Sequence, residues 1–201
     1  MIIDREEFQM DLYEFYEKGL HIKSPRLRKA AVQLTEMRAV PKETFLLHAG
    51  AMQTEVYFLV DGIARGFFLD INGHELTDCI IFQYAEPVMP VANLDSPSTE
   101  NIETLTPCTL ACLPLTGVRQ MLKHSREVAA VYNRLLSKAL ERHWMLKSIR
   151  YQYTAAQRYE WFLKAYPGVI DQIGHKYVAS FLNMTPVTLS RIRKSSHENQ
   201  G

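Results

Sequence analysis

No stretch of the 201 residues approaches the roughly 20 uninterrupted apolar positions that a membrane-spanning helix needs. The opening Met1-Ile-Ile-Asp-Arg-Glu-Glu is acidic and has no apolar core of the secretory type. Cysteine is limited to Cys79, Cys108 and Cys112. An odd number without a dense framework suits a reducing compartment, so the cytoplasm is the expected location, with no membrane partner. Lysine and arginine are missing between Arg65 and Arg119, an interval that holds Asp70, Glu75, Asp78, Glu86, Asp95, Glu100 and Glu103. Glycine is missing between Gly73 and Gly117. A buried phosphate without a cation costs several kcal/mol in desolvation, so this stretch is poorly equipped to hold one. The chain also carries no nucleophile elbow, no phosphate loop and no His-x-His pair.

What the chain does carry is organised in three parts. From about residue 44 to 113, short runs rich in β-branched and aromatic residues alternate with turn signals. Candidate strands are 44–48, 55–60, 63–69, 75–82, 102–105 and 109–113, with turns at Ala49-Gly50, Asp61-Gly62 and Asp70-Ile-Asn-Gly73. Strands broken by turns at this spacing predict a sandwich or barrel-like jelly roll. Helices are expected at 4–18, where Phe8, Leu12 and Phe15 share a face, and at 25–34, opened by Ser24-Pro25.

Residues 125–150 contain no Gly or Pro and predict one long helix. Val128, Tyr132, Leu135, Ala139, Arg142, Leu146 and Ile149 follow the alternating spacing of a coiled-coil seam and are the expected dimer contacts. Leu136, Leu140 and Trp144 form a second row on a neighbouring face. Such a helix can pack on its own domain with one face and on a partner helix with the other.

The C-terminal quarter differs in charge. Residues 151–201 hold 6 Lys/Arg and 3 Asp/Glu, whereas 1–150 hold 17 and 19. Here the run 175–194 reads as two short helices hinged at Asn183-Met184, a helix-turn-helix. Val178, Ala179 and Leu182 supply the inner face of the first helix, and Leu189 and Ile192 that of the second. Thr185 is placed to cap the second helix, with Pro186 at its first position. Thr188, Arg191 and Lys194 recur on one exposed face with Arg193 beside them. An arginine there suits guanine edges, while lysine and threonine suit phosphates. The expected DNA contacts are Thr185, Val187, Thr188, Arg191, Arg193 and Lys194. The segment 154–166, with Tyr159, Phe162 and Leu163 on one side, looks like a supporting helix.

Three stretches carry a wider resemblance: Tyr57-Phe-Leu-Val-Asp-Gly-Ile-Ala-Arg65, Ala156-Gln-Arg-Tyr-Glu-Trp-Phe-Leu-Lys-Ala-Tyr-Pro167, and the run from Val178 to Lys194. With them the chain resembles the Crp/Fnr family of bacterial transcription regulators. The resemblance implies an α+β architecture: a double-stranded β-helix (jelly roll) sensor domain over 1–124, a dimerisation helix over 125–150, and a (winged-)helix-turn-helix domain over 151–201. It implies double-stranded DNA and a second copy of the chain as partners, with RNA polymerase a further candidate. Pro186, Val187 and Arg191 fall where the well-known members read bases, and only Arg191 keeps that chemistry. Few residues follow for a wing hairpin.

Cyclic-nucleotide members of that family grip the phosphate with a Gly-Glu segment and a following arginine. In the matching segment here, Val88 or Glu86 stands near the glutamate position and Ser98 or Thr99 at the arginine position. No cyclic-nucleotide cofactor is therefore expected, and Val88, Met89, Ser98 and Thr99 remain as a candidate pocket for an unidentified small effector. A proline-rich apolar surround (Pro87, Pro90, Val91, Leu94) goes with it. Three cysteines do not supply the four thiolates of a four-iron cluster. Cys108 and Cys112 are about 13 Å apart by strand rise, too far to share a metal. His48 and His74 stand alone near strand ends, so neither haem nor any other metal is expected, and no catalytic residue is assigned. Two alternatives stay open, a cupin-like metal enzyme and an interaction module that does not bind DNA.

Overall fold

The computed structural model describes residues 12–88 and 94–198, and within them the strand texture resolves into two antiparallel sheets. Seven strands are formed: β1 (Glu36–Val40), β2 (Phe45–Leu47), β3 (Glu55–Asp61), β4 (Ala64–Leu69), β5 (Glu75–Ile81), β6 (Asn101–Thr104) and β7 (Cys108–Pro114). One sheet has the order β1-β7-β3 and the other β2-β6-β4-β5, so neighbouring strands come from distant parts of the chain, as in a jelly roll. Leu59, Ala64, Ile81, Val88, Ile102 and Leu110 fill the space between the sheets, each no more than 1% exposed. Asp61-Gly62 makes the β3–β4 turn. Gly62 has φ +100°, and a Cβ there would stand 2.5 Å from the Pro107 carbonyl oxygen, so both dihedral and space demand glycine. Strand β1 is absent from the sequence-based expectation. Its Glu36-Met37-Arg38-Ala39 carries none of the β-branched texture, and pairing along β7 forms it instead.

The helices begin where the sequence places caps. In α1 (Pro25–Leu34), Ser24 accepts a hydrogen bond from the Leu27 amide, 3.4 Å, and Pro25 occupies the first turn. A π-helical turn, Phe15–Gly19, precedes it, and the part of the expected 4–18 helix before Leu12 lies outside the described residues. After the roll come α2 (Leu115–His124) and α3 (Arg126–Gln152). Ser125 caps α3 by accepting from the Val128 amide at 3.2 Å. The C-terminal unit has α4 (Ala155–Ala165), α5 (Val169–Gln172), α6 (His175–Phe181) and α7 (Pro186–Glu198). Thr154 and Gln157 form a reciprocal capping box at the start of α4. Helix α7 extends four residues beyond Lys194. Among the described residues no strand follows β7, and none of the helices is long and apolar enough to cross a membrane.

The long helix corrects one expectation about its faces. Val128, Leu146 and Ile149 are buried within their own chain, and Tyr132 and Leu135 are half-buried against the cluster that holds Phe15, Phe58 and Val131. Arg142 pairs with Glu86 of the roll. Of the expected seam, only Ala139 is exposed. The row left more open is the second one: Leu136 is half-buried, but Leu140 is 58% and Trp144 57% exposed, with Met145 beside them at 45%. Periodicity located the apolar faces, and within the protomer most of the one assigned to the partner packs on the N-terminal helices, the roll and the C-terminal unit.

Candidate nucleic-acid interface and sensor cavity

The helix-turn-helix unit is built from α6 and α7. Val178, Ala179, Phe181 and Leu182 are at most 1% exposed and pack with Leu189 of α7 and Phe162 of α4. The chain reverses at Asn183, whose φ of +52° is a conformation that asparagine tolerates. The Met184 amide donates back to the Ala179 carbonyl at 3.0 Å. Thr185 caps α7 by accepting from the Thr188 amide at 3.1 Å, with Pro186 in the first turn. Arg158 of α4 donates to the carbonyls of Tyr153 (2.8 Å) and Asn183 (3.2 Å), which pins the turn to its supporting helix.

Helix α7 turns Pro186, Val187, Ser190, Arg191 and Lys194 outward, and Val187 is 61% exposed. Among the described residues Arg191 and Lys194 make no ion pair, so their charge faces solvent. Two expected contacts are engaged elsewhere. Thr188 is half-buried with its hydroxyl 2.9 Å from that of Thr185, and Arg193 is half-buried against the His175 imidazole at the start of α6. Thr185 itself is exposed although its oxygen serves as a cap.

The unit is docked on the roll. Arg65 of β4 is 1% exposed, donates to Glu103 at 2.6 Å and to Thr77 at 3.1 Å, and pairs with Glu75. Its guanidinium lies between two rings, 4.0 Å from the centroid of Phe67 and 4.3 Å from that of Tyr177 of α6. The Thr77 amide donates to the Ser180 hydroxyl at 2.8 Å, and that hydroxyl donates to the Glu75 carbonyl at 3.0 Å. From α3, Arg150 donates to the carbonyls of Thr77 (3.2 Å) and Phe181 (2.9 Å). These interdomain arginines were not signalled by spacing. A cation in a strand rich in aromatics, Arg65-Gly-Phe-Phe, was the available hint.

A cavity of about 610 Å³ lies between the roll, the N-terminal helices and α3. Phe58, Leu94, Val131 and Leu135 make its walls apolar, while Asp78, Cys79 and Glu100 form an acidic end. The candidate effector residues do not form it. Val88 is buried between the sheets at 1% exposure, Ser98 is bonded to the Glu100 backbone, and Thr99 is exposed on the surface. Met89, Pro90 and Val91 lie outside the described residues. The segment instead folds Val88 inward because its amide bonds to the Tyr57 carbonyl at 2.8 Å. Arg142 is the arginine at the cavity, and it is neutralised by Glu86, whose other oxygen accepts from the Phe82 and Gln83 amides at 3.2 Å. Arg119 is turned to the Leu94 carbonyl and Asp95.

The acidic end is shaped by a β-bulge. Gly66 pairs with Cys79 and Phe67 with Thr77, leaving Asp78 as the extra residue of β5. In a regular strand Asp78 and Cys79 would point to opposite faces. Here the ligating atoms of Asp78, Cys79 and Glu100 all lie within 4.8 Å of one another. Burial, and then the charge of Asp78, pushes the Glu100 carboxyl up to about 7, and burial pushes the Cys79 thiol up to about 12. Cys108 and Cys112 are buried free thiols. His48 stacks on Phe45, and His74 sits in an exposed turn 3.1 Å from Asp70, so the two are not gathered into a metal site.

Residues 37–125 match the family model described as the cyclic nucleotide-binding domain. No curated protein matches the chain by sequence. Among solved structures it is similar to FixK2 from Bradyrhizobium japonicum, with TM-score 0.75 and 13% identity over 83% of this chain and 86% of that one. It is similar also to the c-di-GMP-responsive global regulator CLP of Xanthomonas campestris, with TM-score 0.71 and 15% identity over 88% and 93%. A putative transcriptional regulator of the Crp/Fnr family from Eubacterium rectale gives TM-score 0.68 and 16% identity over 93% and 88%. By fold the chain is Crp/Fnr-like, with a cyclic nucleotide-binding-type domain at residues 37–125.

Proposed function

We propose that the chain is a homodimeric, sequence-specific DNA-binding transcription regulator with no catalytic activity. The observation that carries this reading is the α6–α7 unit. Its inner face is sealed, its turn is held by Arg158, and its outer face offers Val187, Ser190, Arg191 and Lys194 to a groove. Arg191 is the base-reading candidate and Lys194 the phosphate contact, while Thr185 and Val187 border the same face. Arg193 and Thr188 act through the shape of the unit. Leu140, Trp144 and Met145 of α3 are the surface for a second copy, which would present two reading helices to successive half-sites.

The sensor domain responds to something other than a cyclic nucleotide. Its cavity offers two carboxylates, a thiol and an arginine already paired with Glu86. An anionic phosphate entering there would lose its hydration and meet negative charge. Gel-shift and footprinting against the upstream region of the protein's own gene, at two salt concentrations, test the reading. A protected two-fold-related site whose affinity falls steeply with salt supports it. Equal affinity for that fragment and for random competitor DNA overturns it. Isothermal titration with cAMP and cGMP tests the cavity: micromolar binding would show that the paired arginine can be recruited.

A further inference from the structure

We propose that Asp78, Cys79 and Glu100 form a binding site for one borderline-soft divalent cation of the Zn²⁺ type at the acidic end of the sensor cavity. Three independent features of the fold converge on it. The β-bulge at Asp78 brings its carboxylate to the side of the Cys79 sulfur, and Glu100, at the edge of β6, completes a set whose ligating atoms lie within 4.8 Å of one another. Tetrahedral zinc holds oxygen at about 2.0–2.2 Å and sulfur at about 2.3 Å, so neighbouring ligands stand roughly 3.3–3.8 Å apart. Closure by about 1 Å of side-chain rotation reaches that geometry.

Glu100 supplies the second feature. It is 2% exposed, and among the described residues its carboxylate accepts no hydrogen bond and forms no ion pair, yet it lines the cavity. A buried carboxylate is ordinarily paired, bonded or metal-bound. The cluster's ion pair, Asp78 to Arg150, is 3.9 Å long and reaches Asp78 alone.

Gly66 supplies the third. Any side chain at this position would collide with the pair, because a Cβ would stand 2.5 Å from a Glu100 carboxylate oxygen and 2.8 Å from the Cys79 sulfur. Glycine in mid-strand weakens a sheet, and here it makes the room the two ligating atoms occupy.

The thiol selects the ion. An organic ammonium group or Mg²⁺ would be served by carboxylates alone, whereas a thiolate ligand favours zinc, cobalt or ferrous iron. Binding expels the Cys79 proton to solvent, after which the thiolate and two carboxylates surround a 2+ charge. Three protein ligands leave one coordination position open toward the cavity, the arrangement through which a metal can take a small exogenous ligand.

The test uses the full chain, stripped with a chelator, dialysed and titrated with Co²⁺ and then Zn²⁺. One Co²⁺ per chain should bind with a thiolate-to-cobalt charge-transfer band, and Zn²⁺ should displace it. Cys79→Ser should lose the band, and Glu100→Gln should keep it with affinity lowered at least about tenfold. Cys108→Ser and Cys112→Ser should titrate like the unaltered protein. Absence of the band in the unaltered chain, or its survival in Cys79→Ser, overturns the proposal. Should Cys79→Ser fail to fold, Glu100→Gln decides: unchanged Co²⁺ affinity in that variant overturns it equally. No DNA enters the measurement, so its outcome is separate from that of the regulator reading.

Discussion

Replacing Trp144 with alanine should dissociate the proposed dimer while leaving the protomer folded. The indole is 57% exposed on a helix that buries Val128, Val131, Leu146 and Ile149 within its own chain. A tryptophan presents about 250 Å², so about 140 Å² remains to be covered, worth roughly 3.5 kcal/mol at about 25 cal/mol per Å². A two-fold interface contains the residue twice, which sets an upper limit near 7 kcal/mol. Side-chain ordering and imperfect packing reduce that figure. A loss of at least about 2 kcal/mol is expected, a rise of roughly 30-fold or more in the dimer dissociation constant. Within the protomer the indole faces the Lys147 ammonium, 4.7 Å from the ring centroid, an exposed contact worth about 0.5 kcal/mol. Sedimentation equilibrium over a range of concentrations reads the first quantity and urea unfolding of the monomer the second. An unchanged dissociation constant would refute the assignment of this face. Leu146→Ala is the internal contrast: at 6% exposure it should cost about 2–5 kcal/mol of protomer stability.

Other consequences are equally direct. Arg65→Met should cost about 3–5 kcal/mol in urea unfolding, because Glu103, 7% exposed, loses the partner that neutralises it. Arg191→Ala should weaken operator binding by about 1–3 kcal/mol and blur one base position in each half-site, read by footprinting of base-substituted operators. Tyr57 has its phenol pushed up to about 12, by burial first and by its hydrogen bond to Glu55 second. An unfolded tyrosine releases its proton near 10, so the folded chain holds more protons between those values. Its contribution to stability is therefore present below about pH 10 and lost as pH rises toward 12, which alkaline unfolding monitored by tyrosinate absorbance should show and Tyr57→Phe should diminish.

The helix-turn-helix was legible in the sequence because its signals are local. Thr185-Pro186 starts a helix, Asn183 tolerates the left-handed turn, and Val178, Ala179, Leu182 and Leu189 repeat at helical spacing. The hairpin at Asp61-Gly62 was legible for the same reason. What was illegible depends on long-range packing. A helix with two apolar faces does not state which one its own domain will cover, so Val128, Leu146 and Ile149 were given to the partner and Leu140 and Trp144 were not. Val88 and Ser98 were placed in a pocket by position along the chain, whereas backbone bonds to Tyr57 and Glu100 hold them elsewhere. The Asp78–Cys79–Glu100 grouping was hidden by a bulge that strand alternation does not anticipate. Gly66, isolated in a run of strand residues, was the one mark of it.

The extra residue in β5 also separates two ways in which that strand is held. On one side, Glu75 and Thr77 are fastened to α6 through Ser180 and to α3 through Arg150. On the other, Ile81 is buried between the sheets with Leu59 and Ile102, while Ile80 packs into the cluster of Phe162 and Phe181. An N–H···O contact tolerates a few tenths of an ångström before it weakens. Asp78, itself 3.9 Å from Arg150 of α3, thus stands where β5 meets the C-terminal helices, one residue from the Cys79 sulfur at the cavity's acidic end.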